Sequence, residues 1–365
     1  MEKKFSFLAV ALSAALTVTG FTAATPAFAN DSLKVGVVTD EGGAKDKSFN
    51  QSNVEAVEAW VKSNNGKALQ AIETKSHDKI APNLETASKV SDVVSIAGFY
   101  FEKELPAVAD KYKDKKYILL DAVVDKENVS SVTFQENETA YLAGYAAALQ
   151  SKTGKLGFVG GAKIPAVEKF GIGFVEGAKA ANKDIEIFYQ YSGSFTDAAK
   201  GKTLAATMYD QGADIIFAAA GGTGTGVIKE AQERATNDLK SGDIKHWVVG
   251  VDKDQYEEGL FKAKDKDGKD VEKSVILTSA VKRIDVAVTK VLDEIKSGSF
   301  KGGESNAQVL SIKDNGVGLP EKNPNLTEET TKKVNEVVEE LKSGKVKLAT
   351  KADEVKDKSK VNGEL

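Results

Sequence analysis

The sequence predicts an α/β protein built as two doubly wound, parallel-sheet lobes. Three observations carry this expectation. Short apolar runs of strand length alternate with helical patterns along most of the chain, the signature of βαβ units. The number of units, about nine, exceeds one sheet of ordinary size. Two extended links, near Val132–Glu136 and Ile276–Ser279, read as crossings between lobes. A closed (β/α)₈ barrel is the alternative for so many units.

The elements follow in order. Leu33–Val38 is an apolar run that reads as a buried strand. After a glycine-rich loop, Val54, Val57, Trp60 and Val61 fall at helical spacing between Phe49 and Ser63. Ala68–Ile72 is a strand candidate, followed by a helix near Ile80–Val90. Asp92–Ala97 is the next strand, and its loop Gly98-Phe99-Tyr100 leads into a helix ending near Tyr112. Tyr117–Asp121 is a fourth strand. The rhythm then repeats. Helices over Glu138–Gln150, Val167–Ala181, Ala198–Asp210 and Val227–Leu239 precede strands Lys155–Val159, Glu186–Tyr191, Asp214–Ala219 and Trp247–Val251 respectively. Near the C-terminus, Val334, Val337, Val338 and Leu341 predict an amphipathic helix. Val346–Ala349 could add a short strand, and the charged stretch after Asp353 is expected to fray.

The chain begins with Lys3 and Lys4, an apolar run from Phe5 to about Gly20, and Ala27-Phe28-Ala29. This is the layout of a secretory leader over residues 1–29, and it is short and diluted for a membrane anchor. The 365 residues carry a net charge of −4 and no cysteine. An acidic balance gives no electrostatic footprint for nucleic acid. Without cysteine there is no disulfide, no thiolate metal site, no thiol nucleophile and no lipid-bearing N-terminal cysteine. Only His77 and His246 are present, with no G-x-S-x-G elbow. No catalytic constellation, metal site or cofactor is therefore expected.

In open α/β sheets, ligands bind outside the carboxyl ends of the strands. The loops there hold Asp40-Glu41-Gly42-Gly43, then Asp46-Lys47-Ser48-Phe49-Asn50-Gln51. Asp40 can accept hydrogen bonds, Asn50 can donate and accept, and Phe49 offers an apolar face. Ser48 or Asn50 reads equally as a helix N-cap, and Phe49 as a core residue. Gly221-Gly222-Thr223-Gly224 follows another strand and opens a helix, a cradle for anions or polar groups or a plain βα turn. Asp121 and Asp252 stand at strand ends, and Lys282 follows the strand Val275–Ala280.

Asp-Lys-Ser-Phe-Asn-Gln (46–51), Glu-Thr-Ala-Tyr-Leu-Ala-Gly (138–144), Ala-Gly-Gly-Thr-Gly (220–224) and Val-Gly-Val-Asp (249–252) resemble the basic membrane protein family over nearly the whole chain after the leader. The resemblance implies a periplasmic-binding-protein-like fold of type I, and a receptor that delivers a purine nucleoside (inosine, guanosine or adenosine) to the permease and ATPase subunits of an ABC importer. It implies that Phe49 and Phe195 sandwich the base. Asp40 and Asn50 would read its edge. Asp121, Asp252, Lys282 and the Gly222 backbone would hold the ribose. Many members carry a lipidated cysteine, which this chain lacks; it is expected to be exported, retained through its transporter, and monomeric. A sugar or other small-solute receptor, or an exported nucleoside hydrolase, are the competing readings. The lobes are expected over 33–133 with 279–304, and over 134–278 with 305–365, so that Lys282 shares a lobe with Asp40.

Overall fold

Apolar strands covered on both faces organise the first lobe. In the computed structural model, which describes residues 32–365, strand β1 (Lys34–Thr39) is buried from Val35 onward, as a parallel strand between helical layers requires. The expected leader lies outside the described residues. Helix α1 (Phe49–Ser63) follows β1, and strands β2 (Lys67–Ala68) and β3 (Ile72–Glu73) pair with its outer edge. Helix α2 (Ile80–Val90), strand β4 (Val93–Ala97), helix α3 (Leu105–Lys111), and strands β5 (Lys116–Leu120) and β6 (Val129–Phe134) complete this stretch.

The second lobe begins at α4 (Glu136–Gln150). It continues through β7 (Lys155–Gly160), α5 (Pro165–Ala181), β8 (Glu186–Tyr191), α6 (Ala198–Asp210), β9 (Ile215–Ala219), α7 (Gly222–Asp238) and β10 (Trp247–Asp252). A charged hairpin of β11 (Leu260–Lys264) and β12 (Asp270–Ser274) leads into β13 (Ile276–Lys282). The chain then returns to the first lobe for α8 (Ile284–Ser297) and β14 (Gln308–Leu310). It finishes in the second with β15 (Val317–Gly318), α9 (Glu328–Ser343) and β16 (Val361–Asn362).

The first sheet has the order β14-β6-β5-β4-β1-β2, with β3 also on β1; the second runs β15-β13-β10-β9-β7-β8-β16. Within them only the β13–β15 pair is antiparallel. Two separate sheets replace the barrel alternative. Between them the chain passes after Phe134, after Lys282, and between Leu310 and Val317.

The structure departs from the sequence reading at several points. Lys282 ends β13 inside the second sheet, paired with Val317, so residues 279–282 belong with that lobe and not with the first. It reaches the cleft because β13, like β9 and β10 beside it, ends at the cavity. Residues 308–310 pair with β6 in the first sheet, so the second lobe resumes near Val317 and not at Ser305. Ala68–Ile72 is two dyads split by an irregular edge. Helix α7 begins at Gly222, five residues before Val227, because the glycines themselves are helical. Val346–Ala349 makes no strand. The stretch beyond Asp353 instead docks β16 onto β8, Val361 beside Ile187.

Packing explains the helices. In α8 the buried positions Ile284, Ala287, Val288, Val291, Leu292 and Ile295 form one helical stripe, ended by Gly298 at φ 74°. Helices α4 and α5 lie unusually close. A Cβ on Gly173 would sit 2.2 Å from the Asn137 carbonyl oxygen, and one on Gly177 2.0 Å from that of Tyr141. Backbone cannot yield as a side-chain tip can, so this pair of helices depends on glycine. Gly173→Ala is expected to cost about 1–3 kcal/mol through overpacking, read as a lower urea midpoint with an unchanged slope. An unchanged midpoint would show that the helices separate freely.

Candidate functional site

Strands of both sheets deliver their C-terminal ends to one cleft. Asp40 follows β1, Gly98 follows β4 and Asp121 follows β5; from the other lobe come Gly161 after β7, Gly221 after β9, Asp252 at the end of β10 and Lys282 at the end of β13. Of these, Asp40, Gly98, Asp121, Gly221, Asp252 and Lys282 line one cavity between the lobes, the concave setting usual for a small-ligand site. Asp40, Phe49, Asn50 and Asp121 line it from the first lobe. Phe195, Asp252 and Lys282 line it from the second. Gly222 does not. Gly221 takes the lining position, and Gly222 sits behind it as the first residue of α7, where a Cβ would meet the Phe195 carbonyl oxygen at 3.0 Å.

The loop motif 40–51 is a closed polar knot. Asp40 Oδ1 accepts from the Gly42 N–H at 2.9 Å and from Asn50 Nδ2 at 2.7 Å, while the Asp40 N–H donates to Asn50 Oδ1 at 3.1 Å. Asp46 caps α1: its carboxylate accepts the N–H groups of Ser48, Asn50 and Gln51 at 2.9–3.0 Å. The second Asn50 Nδ2 hydrogen also goes to Asp46, at 2.9 Å. Both Asn50 donors are thus spent inside the knot, and Asn50 holds Asp40 in place. Burial pushes the Asp40 carboxyl up to about 6, against the pull of Gly42 and Asn50.

Ser48 is neither a cap nor a spectator. Its hydroxyl donates to Asp252 Oδ2 at 2.5 Å, from one lobe to the other. Gln255 Nε2 donates to the Lys47 carbonyl at 2.8 Å, and Lys253 pairs with Glu55 at 3.0 Å. These contacts describe a closed cleft.

At its floor lies Lys282, with a side chain 2% exposed. Its ammonium donates to Asp121 Oδ2 at 2.6 Å and lies 3.8 Å from Asp252 and 3.7 Å from Glu136. It also stands 4.4 Å from the Phe49 ring centre, 5.3 Å from Phe134 and 5.7 Å from Phe170, within cation–π range. Burial alone would depress its pKa, but the three carboxylates together hold it above the ordinary lysine value. Burial raises Asp252 to about 6 against the Lys282 charge and the Ser48 hydroxyl. Asp121 and Asp252 both adopt left-handed backbone, φ 65° and 64°, a conformation that aspartate tolerates better than most residues. Asp121 Oδ1 is buried without a hydrogen-bond partner among the described residues, so the site holds an unspent acceptor.

Phe195 is placed by the glycine turn. Its carbonyl accepts the Thr223 N–H at 3.1 Å, and Thr223 Oγ1 donates to the Ser194 carbonyl at 2.9 Å. Its ring lies where a Cβ on Gly161 would be, 2.2 Å away. The turn therefore shapes the aromatic wall.

Residues 33–351 match the model of the Bmp family, described as "ABC transporter substrate-binding protein PnrA-like". The chain belongs to the Bmp family. Among relatives, it is 39% identical over 324 residues to the ABC transporter nucleoside-binding protein BmpA of Lactococcus lactis, covering 87% of this chain and 90% of that one. It is 32% identical over 296 residues to basic membrane protein D of Borreliella burgdorferi, covering 80% and 79%. The solved structure of an ABC transporter solute-binding protein from Aeropyrum pernix K1 superposes with a TM-score of 0.74 at 26% identity, over 88% of this chain and 94% of that one. A sugar-binding protein of a Bacillus halodurans sugar ABC transporter shares the fold, with a TM-score of 0.56 at 15% identity over 79% and 97%.

In this Bmp protein Asp46, Ser48, Phe170, Tyr100 and Glu136 also stand at the site, beyond the residues to which the sequence assigns a binding role. Asp46 and Ser48 stand inside the quoted motif and were open to notice; Phe170 and Glu136 enter from helices whose local pattern is that of a core. Lys282→Met tests the floor of the cleft. It strands three buried carboxylates, so unfolding free energy is expected to fall by about 3–5 kcal/mol at pH 8. The loss should be smaller at pH 5.5, because carboxyls whose folded pKa is raised stabilise the protein by binding protons below that value. Equal losses at both pH values would show that the carboxylates are already solvated.

Proposed function

We propose that this chain is an extracytoplasmic receptor that captures a purine nucleoside between its lobes and delivers it to the permease and ATPase subunits of an ABC importer. Family membership supports the receptor role. The observation that carries the ligand class is the make-up of the cavity: aromatic rings and hydrogen-bonding carboxylates both line it from opposite lobes. Phe49 and Phe195 are suited to sandwich a flat base, a contact worth about 1–3 kcal/mol per base. Asp40, steadied by Asn50 and Gly42, faces the cavity as the reader of the base edge. The unspent acceptor on Asp121, with Asp252 and Lys282, suits vicinal hydroxyls of a ribose, which both donate and accept. A phosphate would meet the carboxylates of Asp40, Asp46, Asp121 and Asp252 against the one ammonium of Lys282, an unfavourable balance. The nucleoside-binding name of the Lactococcus relative points the same way.

Export follows from the leader-like residues 1–29 and from the role of such receptors outside the cytoplasm. Among the described residues no helix is long and apolar enough to cross a membrane. The receptor acts as a monomer in this reading.

Calorimetric titration with inosine, guanosine and adenosine, beside a panel of free sugars, tests the proposal. A purine nucleoside is expected to bind more tightly than any sugar. Phe49→Ala should weaken that binding by about 1–3 kcal/mol, with a smaller effect on solute-free stability than the roughly 3–5 kcal/mol of a core phenylalanine deletion. Preferential sugar binding would overturn the ligand class, and release of free base on incubation would make the protein a hydrolase.

A further inference from the structure

Glu136 is a fully buried carboxylate that lies behind the cavity lining, where it accepts a hydrogen bond from Lys169. It is the first residue of α4, directly after the chain leaves the first sheet at Phe134. Its side chain is 1% exposed. Oε2 lies 3.2 Å from Lys169 of α5, whose ammonium also donates to the Phe134 carbonyl at 3.0 Å. Oε1 lies 3.7 Å from Lys282 of β13. Asp121, from the end of β5 in the other lobe, completes the charges that act on it. A line of charge thus runs from the interlobe crossing to the floor of the cleft.

The cluster is unbalanced. Asp121, Asp252 and Glu136 are three carboxylates, while Lys282 and Lys169 are two ammoniums. Lys282 gives its short hydrogen bond to Asp121, which leaves Glu136 with the longer contacts. Asp121 belongs to the first lobe and Lys282 to the second, so opening the cleft separates them. Opening also admits water to the floor. Both changes improve the lot of an ionised Glu136: Lys282 is released from Asp121, a neighbouring negative charge withdraws, and burial is relieved.

We propose that Glu136 is the proton-exchanging member of the charge cluster beneath the solute site: closing the cleft over a solute discharges the surplus negative charge by taking up one proton from solvent on the Glu136 carboxylate. The proton adds to a carboxylate oxygen and leaves again on opening, with no other bond made or broken. In the closed form, burial raises this carboxyl from 4.5 to about 7, outweighing the attraction of Lys282 and Lys169. By linkage, a group whose pKa is higher in the closed form favours closure as pH falls through that value. Solute should therefore bind more tightly below pH 7 than above it. Asp252 and Asp40, raised to about 6, would add their own dependence at lower pH, which is why the variant at Glu136 decides the assignment.

The proposal rests on the nucleoside reading for its probe, and two measurements keep the two apart. Inosine titrated into the full chain is expected to bind roughly tenfold more tightly at pH 6 than at pH 8, the scale set by a single proton over this window. At pH 7, calorimetry in buffers of different ionisation heat should report uptake of a fraction of one proton. Glu136→Gln should bind inosine at pH 8 about as tightly as the unaltered chain does at pH 6, and lose that proton uptake. Parallel pH profiles for the two proteins would overturn the proposal. With saturating inosine, the Glu136 carboxyl followed by carbon-13 chemical shift should titrate well above the ordinary glutamate value, and without solute, when the cleft opens, its midpoint should fall back toward that value. An ordinary midpoint in the inosine-bound form, or the same midpoint with and without inosine, would overturn it too. If calorimetry finds a sugar bound instead of a nucleoside, the ligand class fails, and the same midpoint shift read on that sugar decides the proposal.

Discussion

Burying an ammonium is among the more expensive things a protein can do, and Lys282 is buried with almost no exposure. The cost is offset only if carboxylates and aromatic faces are held around it in fixed places. Those partners come from everywhere: Asp121 from the first sheet, Asp252 from the second, Glu136 from the crossing, Phe49 from the start of α1. No single lobe can satisfy Lys282. The closed arrangement of the two sheets is thereby written into one side chain, and the cavity above it inherits both its polarity and its ability to open.

The parallel sheets make this convergence possible. The central strands β1, β4, β5, β9, β10 and β13 end at the cleft, so the residue at or just past the strand is presented there without a dedicated loop. Asp121 and Asp252 are the clearest cases, each turning sharply through left-handed backbone at the end of its strand. The two aspartates stand in opposite sheets yet share one lysine. Around them the loops do secondary work: Asp46 and Asn50 hold Asp40, and the glycine turn before α7 holds Phe195. Much of what looks like ligand chemistry in the motifs is spent on keeping a few side chains still.

Much of this was legible in the sequence, for definite reasons. Strands buried on both faces read as unbroken apolar runs, and helices such as α1 show their stripe, so the α/β alternation and the two lobes followed directly. Acids at strand ends were visible as a pattern. Lys282 was recognised but placed in the wrong lobe, because strand pairing with Val317 cannot be read from a local segment. The resemblance points to the Gly222 backbone, whereas Gly221 lines the cavity: which glycine of a run faces it depends on where the helix starts. Ser48 and Asp252 are 204 residues apart, and Glu136 looks like an ordinary first-turn acid favourable to a helix dipole. Short strands such as β2, β3 and β16 exist only because a neighbouring strand receives them.

A solute that touches both lobes binds the closed form better than the open one, and that difference in affinity is what shifts the population. Hinge closure then gives a transporter a shape to recognise. Small-angle X-ray scattering with and without saturating inosine tests this claim most directly. The account predicts a smaller radius of gyration with inosine, and loss of much of that change in Asp252→Ala, where the second lobe's hold on the solute is weakened. Scattering curves that superimpose, with inosine shown by calorimetry to be bound, would contradict it.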